Sequence, residues 1–259
     1  MPASSRRISA KDATSSSIPP LLIGKHHTTS SALHNLGYKG PLRRWSNFLR
    51  AVETDSKTRN WSRRVIKYNE RLDEEVVEVG DEHGVQGRFQ QSIGTVLGHV
   101  FRAQSIDLTF ADFKTLGSSY YGTPDVIIKS SNNELKVVGE LKAPWIEDHR
   151  LRDFGPKDAD LRRLLAQPIL YMRDLQCMYG FLSTYEQTIF LRQELVSGRW
   201  EVEYSPVMRG SADYVPSDPG DTSGTPAVSL KQCFLYVAGL ASVQGPVSNT
   251  TPRSQWFSV

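Results

Sequence analysis

From Gly40 onward the apolar positions recur at intervals that distinguish helices from strands. Trp45, Phe48 and Leu49 fall at helical spacing, as do Trp61, Val65 and Tyr68, and predict helices over residues 41–52 and 59–79. Asp81 stands where an N-cap is expected. The helix after it should run over 82–101, with Val85, Phe89, Ile93, Val96, Leu97 and Val100 as its apolar stripe. Strand signals follow: a loose alternation over 106–113 and two short β-branched runs, Val126–Ile127–Ile128 and Leu135–Leu141. A helical pattern spans 158–178. Three further strands are predicted over 180–184, 188–193 and Arg199–Tyr204. A loop rich in Gly, Pro, Ser and Asp covers 209–226, and a closing helix covers 230–240.

The two ends differ from this body. Residues 1–35 carry Ser4, Ser5, Ser9, Ser15, Ser16 and Ser17 with Arg6, Arg7 and Lys11, and no aromatic residue. That composition predicts disorder. Being basic, Ser-rich and nearly free of acids, the stretch also fits a mitochondrial-type presequence. Residues 36–243 then form one domain with a helical N-terminal extension, and 244–259 a tail. Composition narrows the picture further. A chain of 259 residues with 39% hydrophobic residues has the size and apolar content of a single packed domain. Lys and Arg total 31 against 28 for Asp and Glu, a net charge of +3. This balance does not point to a polyanionic partner, so any such function must come from a local site. Cys177 and Cys233 cannot staple a fold of this size and indicate a reduced, intracellular setting, nucleus or cytoplasm. No apolar run approaches the roughly 20 residues that span a bilayer.

The chemistry concentrates in one stretch, from Thr123 to Trp145. Two apolar runs flank Ser131–Asn132–Asn133–Glu134, and Asn tolerates the left-handed turn positions, so the stretch reads as a β-hairpin. With Asn132 and Asn133 as the central turn residues, Ser131 faces Glu134 and Asp125 falls directly opposite Glu140. Their Cβ atoms would then be about 4.5–5.5 Å apart. Alternation puts Lys142 on the face of Glu140. Val126, Ile128, Leu135, Val137 and Leu141 point the other way, onto an apolar face that belongs against a core. Two adjacent carboxylates repel unless they share a proton or hold a cation. Mg²⁺ takes oxygen ligands and keeps several waters, so two carboxylates suit it. A lysine beside them would stabilise negative charge developing on a phosphate. Pro124 marks a strand start, and Gly139 implies a close approach to the backbone.

Other candidates are poorer. His83, His99 and His149 show no metal-ligand spacing and read as surface or internally bonded residues. Neither cysteine has a histidine at motif spacing. Gly94 and Gly98 lack a following Lys-Ser or Lys-Thr and do not form a phosphate-binding loop; close helix packing would explain both. His149–Arg150–Leu151–Arg152 and Arg162–Arg163 could contact a nucleic-acid backbone. Glu147, Asp148, Asp153, Asp158 and Asp160 interleave with them, so a solvated mixed-charge loop fits equally well.

Pro124–Asp125 followed by Gly139–Glu140–Leu141–Lys142 resembles the signature of the PD-(D/E)XK nuclease superfamily. Gln167–Pro168–Ile169–Leu170–Tyr171 resembles the Gln-x-x-x-Tyr element of its RecB-like members, and the apolar run Tyr179–Ser183 follows in the expected order. Gly-Glu-Leu-Lys-Ala-Pro-Trp and the later Tyr-Gly-Phe-Leu-Ser-Thr-Tyr are most similar to uncharacterised fungal members. The resemblance covers about residues 75–205. It implies a restriction-endonuclease-like αβββαβ core, α/β in class with a mixed central sheet. It also implies metal-dependent hydrolysis of phosphodiester bonds with Mg²⁺ or Mn²⁺, and nucleic acid as partner, DNA ahead of RNA. Asp125 and Glu140 would be metal ligands, Leu141 would add its backbone carbonyl, and Lys142 would position the attacking water. Gln167 and Tyr171 would line the site. Glu82 is the candidate for the acidic residue on the first helix, in competition with Glu75 and Glu78. The alternative is a catalytically inactive domain of the same fold that binds nucleic acid or protein. Pro168 departs from the pattern: either the helix starts near Ala166, or it bends at the proline.

Overall fold

The computed structural model describes residues 5–30, 35–69, 76–152, 155–217 and 224–258. The chain begins with β1 (Ser5–Ser9), α1 (Ala10–Ser15), β2 (Leu22–Ile23), β3 (Gly37–Tyr38) and β4 (Leu42–Arg44). Next come α2 (Phe48–Thr58), β5 (Val65–Asn69), β6 (Glu78–Val79), α3 (Glu82–Phe89) and α4 (Val96–Ala103). A π-helical turn over Gln90–Thr95 joins the last two. The body continues through β7 (Thr109–Ala111), β8 (Val126–Lys129), β9 (Leu135–Leu141), α5 (Ala159–Asp174), β10 (Tyr179–Ser183), β11 (Gln187–Val196), β12 (Arg199–Tyr204) and β13 (Met208–Arg209). It closes with α6 (Leu230–Ser242), α7 (Arg253–Trp256) and β14 (Phe257–Ser258).

Eight strands form one mixed sheet in the order β4-β12-β11-β10-β9-β8-β7, with β13 beside β11. β7, β8 and β9 are antiparallel neighbours, β9 and β10 run parallel, and β10, β11 and β12 are antiparallel again. This is a mixed α/β protein, and helices cover both faces of the sheet. On one face the apolar stripe expected over 82–101 is buried as predicted, with Val85, Phe89, Ile93, Leu97 and Val100 all at 0% exposure. It packs with α6 against Val126, Ile128, Val137 and Leu141. On the other face α5 packs Leu161, Leu165 and Ile169 against Val138, Leu182 and Ile189. Burial from both sides explains why β8 to β10 read as near-continuous apolar runs rather than alternating ones. Among the described residues no helix is long and apolar enough to cross a membrane.

The segment before Asp81 departs most from its sequence pattern. Residues 41–52 are not one helix. Leu42–Arg44 forms the edge strand beside β12, and Asn47, in the left-handed region at φ 59°, separates it from α2. The helical spacing of Trp45 and Phe48 reflects a real contact, their rings lying 4.9 Å apart, but across that break. Of the helix expected over 59–79, the described residues instead form β5 and β6, and residues 70–75, Glu75 among them, lie outside the described residues. There is accordingly no purely helical N-terminal extension.

Neither expected loose end stands apart from the fold. Ser5–Ser9 pairs antiparallel with Val65–Asn69, and Ala10, Ala13 and Thr14 of α1 are buried. These small residues at helical spacing give α1 one buried face, although composition reads the segment as polar. At the other end Trp256 is 1% exposed and stands edge-on to Tyr38, while Phe257 pairs with Tyr38 in a short sheet. Upstream of these two aromatic residues the expected tail is also tied down, by Val247 N–H to the Gln176 carbonyl, Asn249 to Gln193 and the Thr251 carbonyl to Arg173.

Candidate active site

The hairpin has the expected register where it matters. Val126 pairs with Gly139, Ile127 with Val138 and Ile128 with Val137, which places Asp125 opposite Glu140. At the turn the register shifts between Ile128 and Lys129, and Lys129 pairs with Leu135. Ser130, rather than Ser131, closes the turn against Glu134, through an N–H···O bond of 3.0 Å. Asn133 takes the left-handed position, at φ 61°. The irregularity absorbs one residue at the turn and leaves the site end unchanged.

Glu140 and Lys142 point to the face opposite Val137 and Leu141, but that face is not open. α5 lies across it, so Glu140 is 3% and Lys142 5% exposed. Helices thus cover the polar face of the hairpin as well as the apolar one. Lys142 Nζ donates to Glu140 Oε1 at 2.6 Å and lies 3.8 Å from Glu82 Oε1. Asp125, half-buried, accepts the Leu141 N–H on Oδ2 at 2.8 Å. The Gln86 side-chain amide donates to the Asp125 carbonyl, which ties the hairpin to α3. Asp81 caps that helix through the Gly84 N–H at 2.8 Å, so the cap helps to set the position of Glu82 and Gln86.

One oxygen stands out. Glu140 Oε2 is buried and accepts no hydrogen bond. Burial, reinforced by the Asp125 carboxylate, pushes the Glu140 carboxyl up to about 8. Burial raises Asp125 as well, against the pull of the Leu141 N–H and Lys142. For Lys142, burial opposes the charge, but the Glu140 carboxylate outweighs it and the ammonium is held above its usual range. Asp125, Glu140, Lys142 and Glu82 therefore converge. Among the described residues no group of three or more His, Cys, Asp or Glu side chains is arranged to hold a metal ion. An ion here would rest on two carboxylates, a backbone carbonyl and water.

Gln167 and Tyr171 also reach the site, Gln167 Nε2 donating to the Tyr171 hydroxyl at 2.8 Å. Burial first, then the negative charge of Glu140, raises the Tyr171 phenol. α5 begins at Ala159 and runs through Pro168, so Gln167 is mid-helix and the start near Ala166 is excluded. The close approach implied by Gly139 comes from within the fold: a Cβ there would lie 2.0 Å from the Phe181 ring. Gly94 is closely approached by the Gln90 side chain, but Gly98 has open space around it, so close packing does not account for Gly98.

One neighbour, Gln86, escaped the sequence pattern, and another, His149, is internally bonded through Nδ1, one of the two settings its sequence implied. His149 is 1% exposed, with Nδ1 at 3.1 Å from the Ala143 carbonyl and Nε2 buried without a hydrogen bond. No spacing rule links His149 to Ala143; the turn after Lys142 does. Gln86 was hidden because a single amide on a helix carries no signal of its own. The basic run divides. Arg150 and Arg152 both face Glu147, whereas Arg162 turns inward to the carbonyls of Tyr38, Gly40 and Pro156. Asp153 lies outside the described residues. No family model, curated protein or solved structure matches this chain.

Proposed function

We propose that the Asp125–Glu140–Lys142 face hydrolyses phosphodiester bonds of nucleic acid with a divalent metal, Mg²⁺ or Mn²⁺. The observation that carries this reading is Glu140 Oε2, a buried carboxylate oxygen without a hydrogen bond, beside a second carboxylate. Such an oxygen is costly unless something outside the chain meets it. The donor set fits a hard cation: Asp125 and Glu140 supply carboxylate oxygens, Leu141 can add its carbonyl, and waters complete a shell of the kind Mg²⁺ takes. When bound, the ion supplies Lewis acidity at a phosphoryl oxygen. The element order supports the same reading. The α3–α4 rod, then β7, β8 and β9, then α5 and β10, follows the αβββαβ order that the signature implies.

The protein's own groups have distinct tasks. Lys142 holds a positive charge, oriented by Glu140 Oε1, where negative charge develops on phosphate and where the attacking water is to be held. Glu82 balances that charge from the helix side. Gln167 and Tyr171 present an amide and a hydroxyl to the substrate. The close Lys142–Glu140 pair, with no metal-holding group of three or more His, Cys, Asp or Glu among the described residues, favours the second reading, a nucleic-acid- or protein-binding domain that has lost catalysis. A cleavage assay on single- and double-stranded DNA and RNA with Mg²⁺ or Mn²⁺ separates the two. Metal-dependent cleavage lost in Asp125→Ala and Lys142→Ala is expected, with turnover falling far more than affinity in the lysine variant. Absence of cleavage by the natural protein on every polymer would overturn the nuclease reading.

A further inference from the structure

Two aromatic pairs flank the carboxylates, and nothing in the proposed chemistry uses them. The first lies in the loop that leads into Asp125. Tyr121 is 75% exposed and its ring centre lies 4.9 Å from that of Tyr120. Tyr120 is anchored by its hydroxyl to Asp174 at 3.2 Å and stands edge-on to Tyr171 at 6.2 Å. The three tyrosines thus run from solvent to the residue beside Glu140. Gly122 permits this approach, since a Cβ there would meet Tyr120 at 2.7 Å and Tyr171 at 2.9 Å. The Arg253 guanidinium donates to the Tyr121 hydroxyl at 2.9 Å, so a cation sits at the outer edge of the pair.

The second pair follows Lys142. Trp145, partly exposed, lies 5.4 Å from the exposed His27 ring, tilted by 32°, and its indole N–H donates to the Thr28 carbonyl at 2.8 Å. The His27 segment is placed by the backbone: Gly24 bonds to Val79 and Thr28 to Gly80, immediately before the helix that carries Glu82. A cavity of about 290 Å³ opens beside the pair. Lys25 is exposed two residues away, and Glu147 at the cavity wall is already engaged by Arg150 and Arg152.

We propose that Tyr121–Tyr120 and Trp145–His27 are stacking platforms for unpaired bases on either side of the Asp125–Glu140–Lys142 face, so that the polymer bound there is single-stranded nucleic acid. This rests on the phosphodiesterase reading for the placement of the scissile bond. The chemistry is specific to unpaired bases. Exposed aromatic rings bind a base by its π-face, which a duplex keeps inside its stack, and adjacent Arg and Lys take the phosphates. A surface built for duplex would rest first on cations along the backbone, because the paired bases keep their faces inside the stack.

The test measures binding apart from cleavage, with hydrolysis-resistant phosphorothioate oligonucleotides in Mg²⁺, using anisotropy of an end label and quenching of tryptophan fluorescence. A single strand should bind more tightly than the duplex of the same sequence and should quench Trp145. Tyr121→Ala and Trp145→Ala should each weaken single-strand binding by about 5- to 150-fold and leave duplex binding unchanged. Tyr121→Phe, which keeps the ring, should bind like the natural protein, and Tyr121→Leu should not. Equal affinity for single strand and duplex, no binding of either, or a Tyr121→Leu variant that binds as tightly as Tyr121→Phe would each overturn the proposal. Cleavage is scored separately. Loss of the platforms with cleavage intact sinks this inference alone, and platforms present without cleavage sink the nuclease reading alone.

Discussion

Replacing Glu140 by Gln opposes two physical effects of opposite sign. If the Glu140–Lys142 pair serves stability, removing the carboxylate leaves a buried ammonium without its counter-charge, a loss of about 3–5 kcal/mol. The site geometry argues otherwise. Glu140 is 3% exposed, lies beside Asp125, and has one oxygen with no hydrogen bond. Its carboxyl is raised from 4.5 to about 8. A group raised on folding contributes stability that is fully present below its unfolded value and is lost as pH rises through the folded one. The window is therefore about pH 4.5 to 8, and at 1.36 kcal/mol per pH unit its full span is about 5 kcal/mol. Gln mimics the protonated carboxyl and does not titrate. In chelator, urea unfolding should show the natural protein losing a few kcal/mol between pH 5 and 8.5. Glu140→Gln should lose less over that range and be the more stable of the two at pH 8.5. Added Mn²⁺ should stabilise the natural protein and leave the variant unmoved, because ligand bound only to the folded state adds to its stability. A variant less stable than the natural protein at pH 8.5 would refute this account and make the pair structural.

Gly139→Ala should fold poorly, because its Cβ would meet the fully buried Phe181 ring. Overpacking of about 1–3 kcal/mol should lower Tm by several degrees in a thermal scan, and an unchanged Tm would show that β9 and β10 can separate at that point. Trp256→Ala should cost about 3–5 kcal/mol by urea unfolding and speed proteolysis near Arg253. A neutral result would mean that the C-terminal segment is as loose as its composition suggests.

The amino-acid order determined whatever depends on near neighbours. Asp81 at the cap, the 82–101 stripe, the strands Leu135–Leu141 and Arg199–Tyr204, and the hairpin register that opposes Asp125 to Glu140 were all legible. In each case periodicity or turn chemistry acts within one element or one hairpin. Only the tertiary structure decided that α5 lies over the second face of the sheet. That burial gives Glu140 its raised carboxyl and brings Gln167 and Tyr171 to it. It also decided that Ser5–Ser9, His27 and Trp256 belong to the fold. Their partners lie far away in sequence, at Val65–Asn69, Trp145 and Tyr38. A short polar segment with one or two well-placed small or aromatic residues has no periodic signal. Its order depends on the surface it meets, and only the assembled sheet and helices supply that surface.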